Sequence, residues 1–527
     1  MVLTDKQLDY LKTLPSDRKR AWLEKLKQNG SADTLEESIL NAEQKSVADI
    51  EDKNYLSEQS KEDILESRRL LRQNRGVQWF TLLENVLSRT IKNDRETSLI
   101  TFFSFLSAFT ESDQLNVLFN APSSSGKTYI AKEIASLFPK ESIIQLGSVS
   151  PTAFWHDYSK FDEKTKELII DMSRKIYIFL DQPHFLLLEK LRPLLSHDDK
   201  EILIKITDKT QRFGLRTKTI KILGFPVVVF CSAKLDLNEQ EATRFLLLSP
   251  ETSSAEKNKA AVLQAIKRVS NPSEYQKELQ MDQERNKLME HIALIRQSRV
   301  RNINIPNPNL LLERFLETIP NGDYQGRHAR DIVRVASLAK GISLLYIADI
   351  APDSFWSGEA DDIEAKDQHT NLAVDLWAPV SEAQQLNLPP FVYEIYDRVL
   401  LPLFHKALTE ETDHYGNTKE VQKGVTRTEV FSFYRKIYKR TLPEYQFRRE
   451  IIPLLTDAGL VYEEPDSGNK RQLRLYPTMS SPLSNKTENN ENGRFEQPKG
   501  ITDDPVKKDG ITDIVTAAEK IFGAKAE

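Results

Sequence analysis

At 527 residues the chain exceeds the ~250–300 residues at which a single hydrophobic core stops growing, so more than one domain is expected. It is 39% hydrophobic and 29% charged with a net charge of −5, which suits a soluble globular protein and excludes nucleic-acid binding by a whole-molecule basic field. The one cysteine, Cys231, excludes an intramolecular disulfide and a CxxC metal site. No apolar run approaches the ~18–20 residues of a membrane span, and MVLTDKQLDYLK lacks a signal-peptide core, so a cytoplasmic protein without membrane contact is expected.

Residues 1–76 are polar and charged with scattered leucines. Tyr10, Leu11 and Leu14, then Trp22, Leu23 and Leu26, space out as faces of short helices, and Lys45 to Arg75 reads as a charged helix or solvated arm. The character changes at residue 77. Trp79 to Leu87 and Leu99 to Phe109 predict two buried helices, the second apolar on most faces, and they open an α/β core over 77–250.

Val117-Leu118-Phe119 then leads into Ala121-Pro-Ser123-Ser124-Ser125-Gly126-Lys127-Thr128. This is the phosphate-binding loop pattern with Ala121 in place of the first glycine. Backbone N–H groups must curl around a polyphosphate, and the following helix must point its N-terminus at it. Lys127 reaches the β/γ-phosphates and Thr128 takes a place on Mg²⁺, so ATP with Mg²⁺ is the expected ligand. Downstream, Ser142 to Leu146 and Ile176 to Leu180 read as strands, the second ending at Asp181, which would hold Mg²⁺ through water. The next residue is Gln182, where a Glu usually polarises the attacking water. Gln orients a water but takes no proton. Three accounts stay open: a base elsewhere (His184, Glu189), slow hydrolysis, or a trapping substitution.

Ile202 to Thr207 and Arg216 to Ile222 alternate as a β-hairpin whose tip and flanks carry Lys209, Arg212, Phe213, Arg216, Lys218 and Lys221. Cations around an aromatic suit single-stranded DNA; an edge hairpin kept soluble by lysines has the same composition. A buried strand, Val227 to Cys231, ends at Ser232, either a γ-phosphate sensor or a strand-end serine. Arg244 before an apolar run is either an arginine acting in trans on a neighbouring subunit's phosphate or a surface arginine.

In this order the elements resemble the AAA+ ATPases that carry a hairpin just before the sensor 1 strand. Thr243-Arg244-Phe245 is similar to the Ser-Arg-Phe finger of minichromosome-maintenance (MCM) helicases, and the hairpin to their pore-lining DNA contact. The chain departs from that pattern at Gln182, at Leu246 where those helicases have Asp, and in the short Ser232 to Arg244 stretch. The resemblance implies a helical lid, found at 251–349, with Arg327 as sensor 2 and Arg330 as its runner-up three residues on. Residues 350–386 are acidic and irregular and read as a connector.

From 387 to 477, three helices (Phe391 to Ala407, Thr426 to Tyr438, Pro443 to Ala458) and two strands around Asp466 to Asn469 follow the winged-helix pattern. Arg448 and Arg449 on the third helix and Lys470 and Arg471 on the wing are candidate duplex-DNA contacts; a protein-docking module is the alternative. Arg427, Arg435, Lys436, Lys439, Arg440 and Arg474 add to that basic set. Residues 478–510 read as a disordered linker and 511–527 as an amphipathic peptide that docks on a replication partner or folds back.

The expected fold is therefore α/β: an AAA+ P-loop core with helical lid, a C-terminal winged helix and a largely helical N-terminal region. The resemblance implies a hexameric ATP-dependent helicase or replication initiator of mobile genetic elements, with Asp181, Gln182, Ser232, Arg244 and Arg327 completing its site. A nucleotide-switched DNA-binding regulator or helicase loader is the alternative. The signature loop that transcription activators of this class carry is not found between Leu146 and Lys175.

Overall fold

The computed structural model describes residues 61–478 apart from 93, 148, 151–159, 163–166, 182–184, 197–200, 209–215, 233–243, 252–254, 320–323, 325, 413–417 and 467–471. Expectations for 1–60 and 479–527, among them the C-terminal peptide, lie outside the described residues. Residues 61–72 are helical, and Leu71 is fully buried in the main core.

Five strands form a parallel sheet: β1 (Val117–Asn120), β2 (Ile143–Leu146), β5 (Ile176–Phe179), β8 (Val227–Ser232) and β9 (Leu246–Leu248). Their spatial order is β2-β5-β8-β1-β9. Four of them are buried along their whole length, as their unbroken apolar runs require of a sheet covered on both faces. One face packs on α1 (Trp79–Thr90), α2 (Arg95–Ser107) and α3 (Lys127–Ala135); the other packs on α4 (Phe185–Ser196).

A second sheet, β3-β4-β7-β6, stands beside the first. It joins the expected hairpin, β6 (Glu201–Asp208) and β7 (Arg216–Leu223), to a pair that the sequence reading did not anticipate, β3 (Lys160–Asp162) and β4 (Glu167–Asp171). β4 and β7 run parallel, with Leu168 opposite Ile220. Gly224 then turns the chain into β8 at φ 72°, where a Cβ would lie 2.0 Å from the Ser173 Oγ; no other residue fits there without displacing β4's end.

Helices α5 (Ala255–Ser270), α6 (Pro272–Met281), α7 (Gln283–Ser298), α8 (Pro308–Leu316) and α9 (His328–Leu345) follow. The segment read as an irregular connector is instead helical over α10 (Asp367–Gln385). Ala373, Leu376, Trp377, Val380 and Ala383 recur at helical spacing and are buried. The Gln384 carboxamide caps the exposed edge of β9, accepting from Leu247 N at 3.2 Å and donating to Leu247 O at 2.6 Å. This helix therefore finishes the sheet edge rather than leaving it open to pairing.

A separate hydrophobic cluster spans Leu388 to Leu475. It holds α11 (Pro390–Ile395, running on to Lys406 through a π-helical turn), α12 (Arg427–Tyr438) and α13 (Glu444–Gln446, running on to Asp457). A three-stranded sheet of order β10-β12-β11 completes it: β10 (Val425–Thr426), β11 (Val461–Pro465) and β12 (Leu473–Pro477). Thr426 and Glu429 form the capping box that starts α12. An additional polar hairpin, Leu408–Thr412 with Thr418–Gln422, had no apolar alternation to announce it.

Two buried histidines make this core acid-sensitive. His291 stacks on Trp79 at 3.7 Å, and burial pulls it down to about 4; His369 is drawn to about 4 in the same way. Both stay neutral when folded and protonate on unfolding, so stability is full above pH ~6.5 and falls as pH drops toward ~4. The urea midpoint is expected to decrease between pH 7 and pH 5, and to decrease less in His291→Phe, which retains the ring stack.

Candidate nucleotide site

The loop between β1 and α3 has the curled backbone that a polyphosphate requires. Ser124 (φ 64°) and Gly126 (φ 96°) adopt left-handed conformations, and Lys127 opens α3 directly after them. Lys127 is buried, its Nζ donating to Ala121 O at 2.6 Å and Pro122 O at 2.7 Å. Burial lowers its pKa. A partly dehydrated ammonium held by its own loop's carbonyls is poised for a stronger, anionic acceptor. Thr128 hydrogen-bonds the buried Cys231 thiol, which burial pushes up to about 11. Ala121 is buried against this loop, and Ser123 is exposed.

Three strand ends meet beside the loop. Asn120 ends β1 opposite Ser232, which ends β8. Phe179 of β5 lies opposite Phe230 of β8, so Asp181, two residues on, falls at the level of Ser232. Asp181 is exposed at this carboxyl edge, whereas Ser232 is fully buried. Gln182 lies outside the described residues. Thr128 has a hydroxyl and Asp181 a carboxylate, the oxygen donor types that a divalent cation takes. Among the described residues no cluster of three or more His, Cys, Asp or Glu could hold a metal by itself.

A cavity of about 220 Å³ opens against Ser124, Ser125 and Gly126, walled by Tyr129, Arg268 of α5 and Arg440. Tyr129 donates to Thr90 O at 2.8 Å, and the Arg268 guanidinium lies 5.1 Å over its ring. Arg440, grouped above with the C-terminal DNA contacts, therefore faces the phosphate loop. The sequence offered no signal for this, because it depends on how the C-terminal cluster packs. One tie is visible: Phe391 N donates to Ser249 Oγ at 3.2 Å.

Residues 73–289 match the family model described as the MTBMA_p00010 P-loop domain. This stretch is a P-loop domain. No curated protein matches the chain. The match runs through α5, which walls the cavity, and a P-loop domain there suggests a nucleotide-binding function.

The arginines do not join that loop. Arg244 lies just before β9, whose Leu246 N donates to Asn116 O at the amino end of β1. It stands at the amino edge of the parallel sheet, and the loop stands at the carboxyl edge; four residues of strand separate those edges by roughly 13 Å. Arg244 Nε donates to Ser196 Oγ at 2.9 Å. It lines a cleft of about 590 Å³ with Arg330 and Arg334, and no residue of the phosphate loop lines it. Arg327, the first choice for sensor 2, instead clamps the buried Asp331 (3.2 Å) and donates to Gln385 O at 2.7 Å. Arg334 holds the other Asp331 oxygen at 2.9 Å, and burial lowers its pKa to about 10. Arg330, the runner-up, is exposed and shares the cleft with Arg244.

Of the expected DNA contacts, Lys209, Arg212, Phe213, Lys470 and Arg471 lie outside the described residues. Arg216 starts β7 and Lys218 is exposed on it, whereas Lys221 pairs with Glu201 at 2.5 Å. Arg448 and Arg449 are exposed on α13. Arg427 pairs with Glu463 at 2.8 Å and Arg474 with Asp466, so both serve the three-stranded sheet. No helix among the described residues is long and apolar enough to cross a membrane.

Proposed function

We propose that the chain is an ATP-dependent DNA helicase or replication initiator of MCM-like AAA+ type, working as a ring of identical subunits. The observation that carries this reading is the placement of Arg244 and Arg330 in one cleft on the sheet edge opposite the phosphate loop. Arginines so placed serve a nucleotide only when a second copy presents its loop to them, so the site is complete only between subunits. Lys127 and the loop N–H groups bind the phosphates; Asp181 and Thr128 hold Mg²⁺; Ser232 senses the terminal phosphate. The hairpin β6–β7 stands just before β8, as that resemblance requires, so movement at the nucleotide reaches a basic, DNA-facing element. Three helices with a three-stranded sheet and exposed Arg448 and Arg449 support a winged helix that binds duplex DNA.

Gln182 favours a second reading, a nucleotide-switched regulator or loader with slow hydrolysis. Steady-state ATP hydrolysis with and without single-stranded and forked DNA separates the two. The helicase reading expects strong stimulation by DNA. No hydrolysis, with ATP tightening DNA binding, would establish the switch instead.

A further inference from the structure

We propose that Asn120 is a positioning residue for the terminal phosphate and the water that attacks it; the inference rests on the reading of this site as an ATP site. Asn120 is fully buried, and among the described residues neither its Nδ2 nor its Oδ1 has a hydrogen-bond partner. Buried side-chain amides are nearly always paired, because leaving one unpaired costs stability. Its backbone, by contrast, is held firmly: Ser249 Oγ donates to Asn120 O at 2.5 Å, and Ala121 N donates to Ser232 O at 3.5 Å. An unpaired carboxamide on a fixed backbone is a group reserved for something else.

Its position says what. Asn120 and Ser232 are register partners on adjacent strands, and Asp181 falls at the same level on the next strand. The two-residue period puts Asn120 and Ser232 on the sheet face that carries Leu118, Phe179 and Phe230, and Asp181 follows the end of the next strand. With strands ~4.8 Å apart, Asn120 and Ser232 stand side by side where β1 runs into the phosphate loop. An amide both donates and accepts, so it can hold a phosphate oxygen with Nδ2 and a water with Oδ1. That capacity matters where the residue after Asp181 is Gln182, not a carboxylate. In hydrolysis the water oxygen bonds to the γ-phosphorus while the bond from phosphorus to the β–γ bridging oxygen breaks. ADP leaves with that electron pair, and the water's protons pass to phosphate and solvent; Asn120 takes none.

The test compares wild type with Asn120→Leu, which matches the side chain in size, and with Asn120→Ala. Both are expected to lower kcat by about tenfold or more. KM for ATP should stay within about threefold. The ATP-over-ADP affinity ratio should fall, and the Leu variant should melt no lower than wild type because it removes an unpaired buried amide. Wild-type kcat and an unchanged ATP-over-ADP ratio in both variants would overturn the inference, as would a loss of melting temperature and ADP binding in step with turnover. If wild type binds ATP but does not hydrolyse it, the hydrolytic reading fails by itself, and the ATP-over-ADP ratio of Asn120→Leu still decides the role of Asn120.

Discussion

Arg244→Ala is expected to lower ATP turnover by about 10³-fold while leaving nucleotide affinity near wild type. The size follows from the work an arginine does against charge developing on a transferring phosphoryl group, and the selectivity follows from geometry. Arg244 stands at the amino edge of the parallel sheet and bonds Ser196, so it contributes nothing to its own subunit's loop. Equilibrium binding of a fluorescent ATP analogue, measured beside turnover, checks both halves. A variant that loses binding and turnover together would mean that Arg244 supports the fold. Arg330→Ala should follow the same pattern, whereas Arg327→Ala should act through stability, since Arg327 clamps the buried Asp331.

Lys127→Ala should weaken nucleotide binding itself. The ammonium is buried and held by two carbonyls of its own loop, with its pKa lowered by dehydration. A charge-assisted hydrogen bond contributes about 1.5–3 kcal/mol, so an ammonium that turns two protons from those carbonyls to phosphate oxygens should account for roughly 100-fold or more of ATP affinity. Fluorescent-nucleotide titration reads this directly. Binding within a few-fold of wild type would remove the phosphate loop from the account.

The nucleotide loop was legible in the sequence because its chemistry is local: a strand, a curled run of small residues and a lysine on a helix N-terminus occupy consecutive positions. The same holds for Ile176 to Asp181, for the strand ending at Ser232 and for the flanks of the β6–β7 hairpin. What was not legible depends on packing between distant segments. The strands β3 and β4 are only three and five residues long, and they join the sheet only because β4 pairs with β7 and β3 with β4. The helix α10 hides among acidic neighbours, and its use is the cap that Gln384 places on β9. Arg327 and Arg330 share a helix turn, so sequence could order them only by analogy; Asp331 and Gln385 settle where Arg327 goes. Arg440 looked like one of many basic residues, and only the folded chain sets it over the phosphate loop. Asn120 carried the same signal as Ser232, a polar residue ending an apolar strand, but it sat unread between Phe119 and the loop.

If a second copy of the chain completes the nucleotide site, mixing Lys127→Ala with Arg244→Ala should reveal it. Each variant alone should be inactive. In a mixed ring, an Arg244→Ala subunit supplies an intact phosphate loop and its Lys127→Ala neighbour supplies the arginine. The mixture is expected to recover ATP turnover that neither variant has alone. A mixture as inactive as its parts, in assemblies shown to contain both, would contradict it.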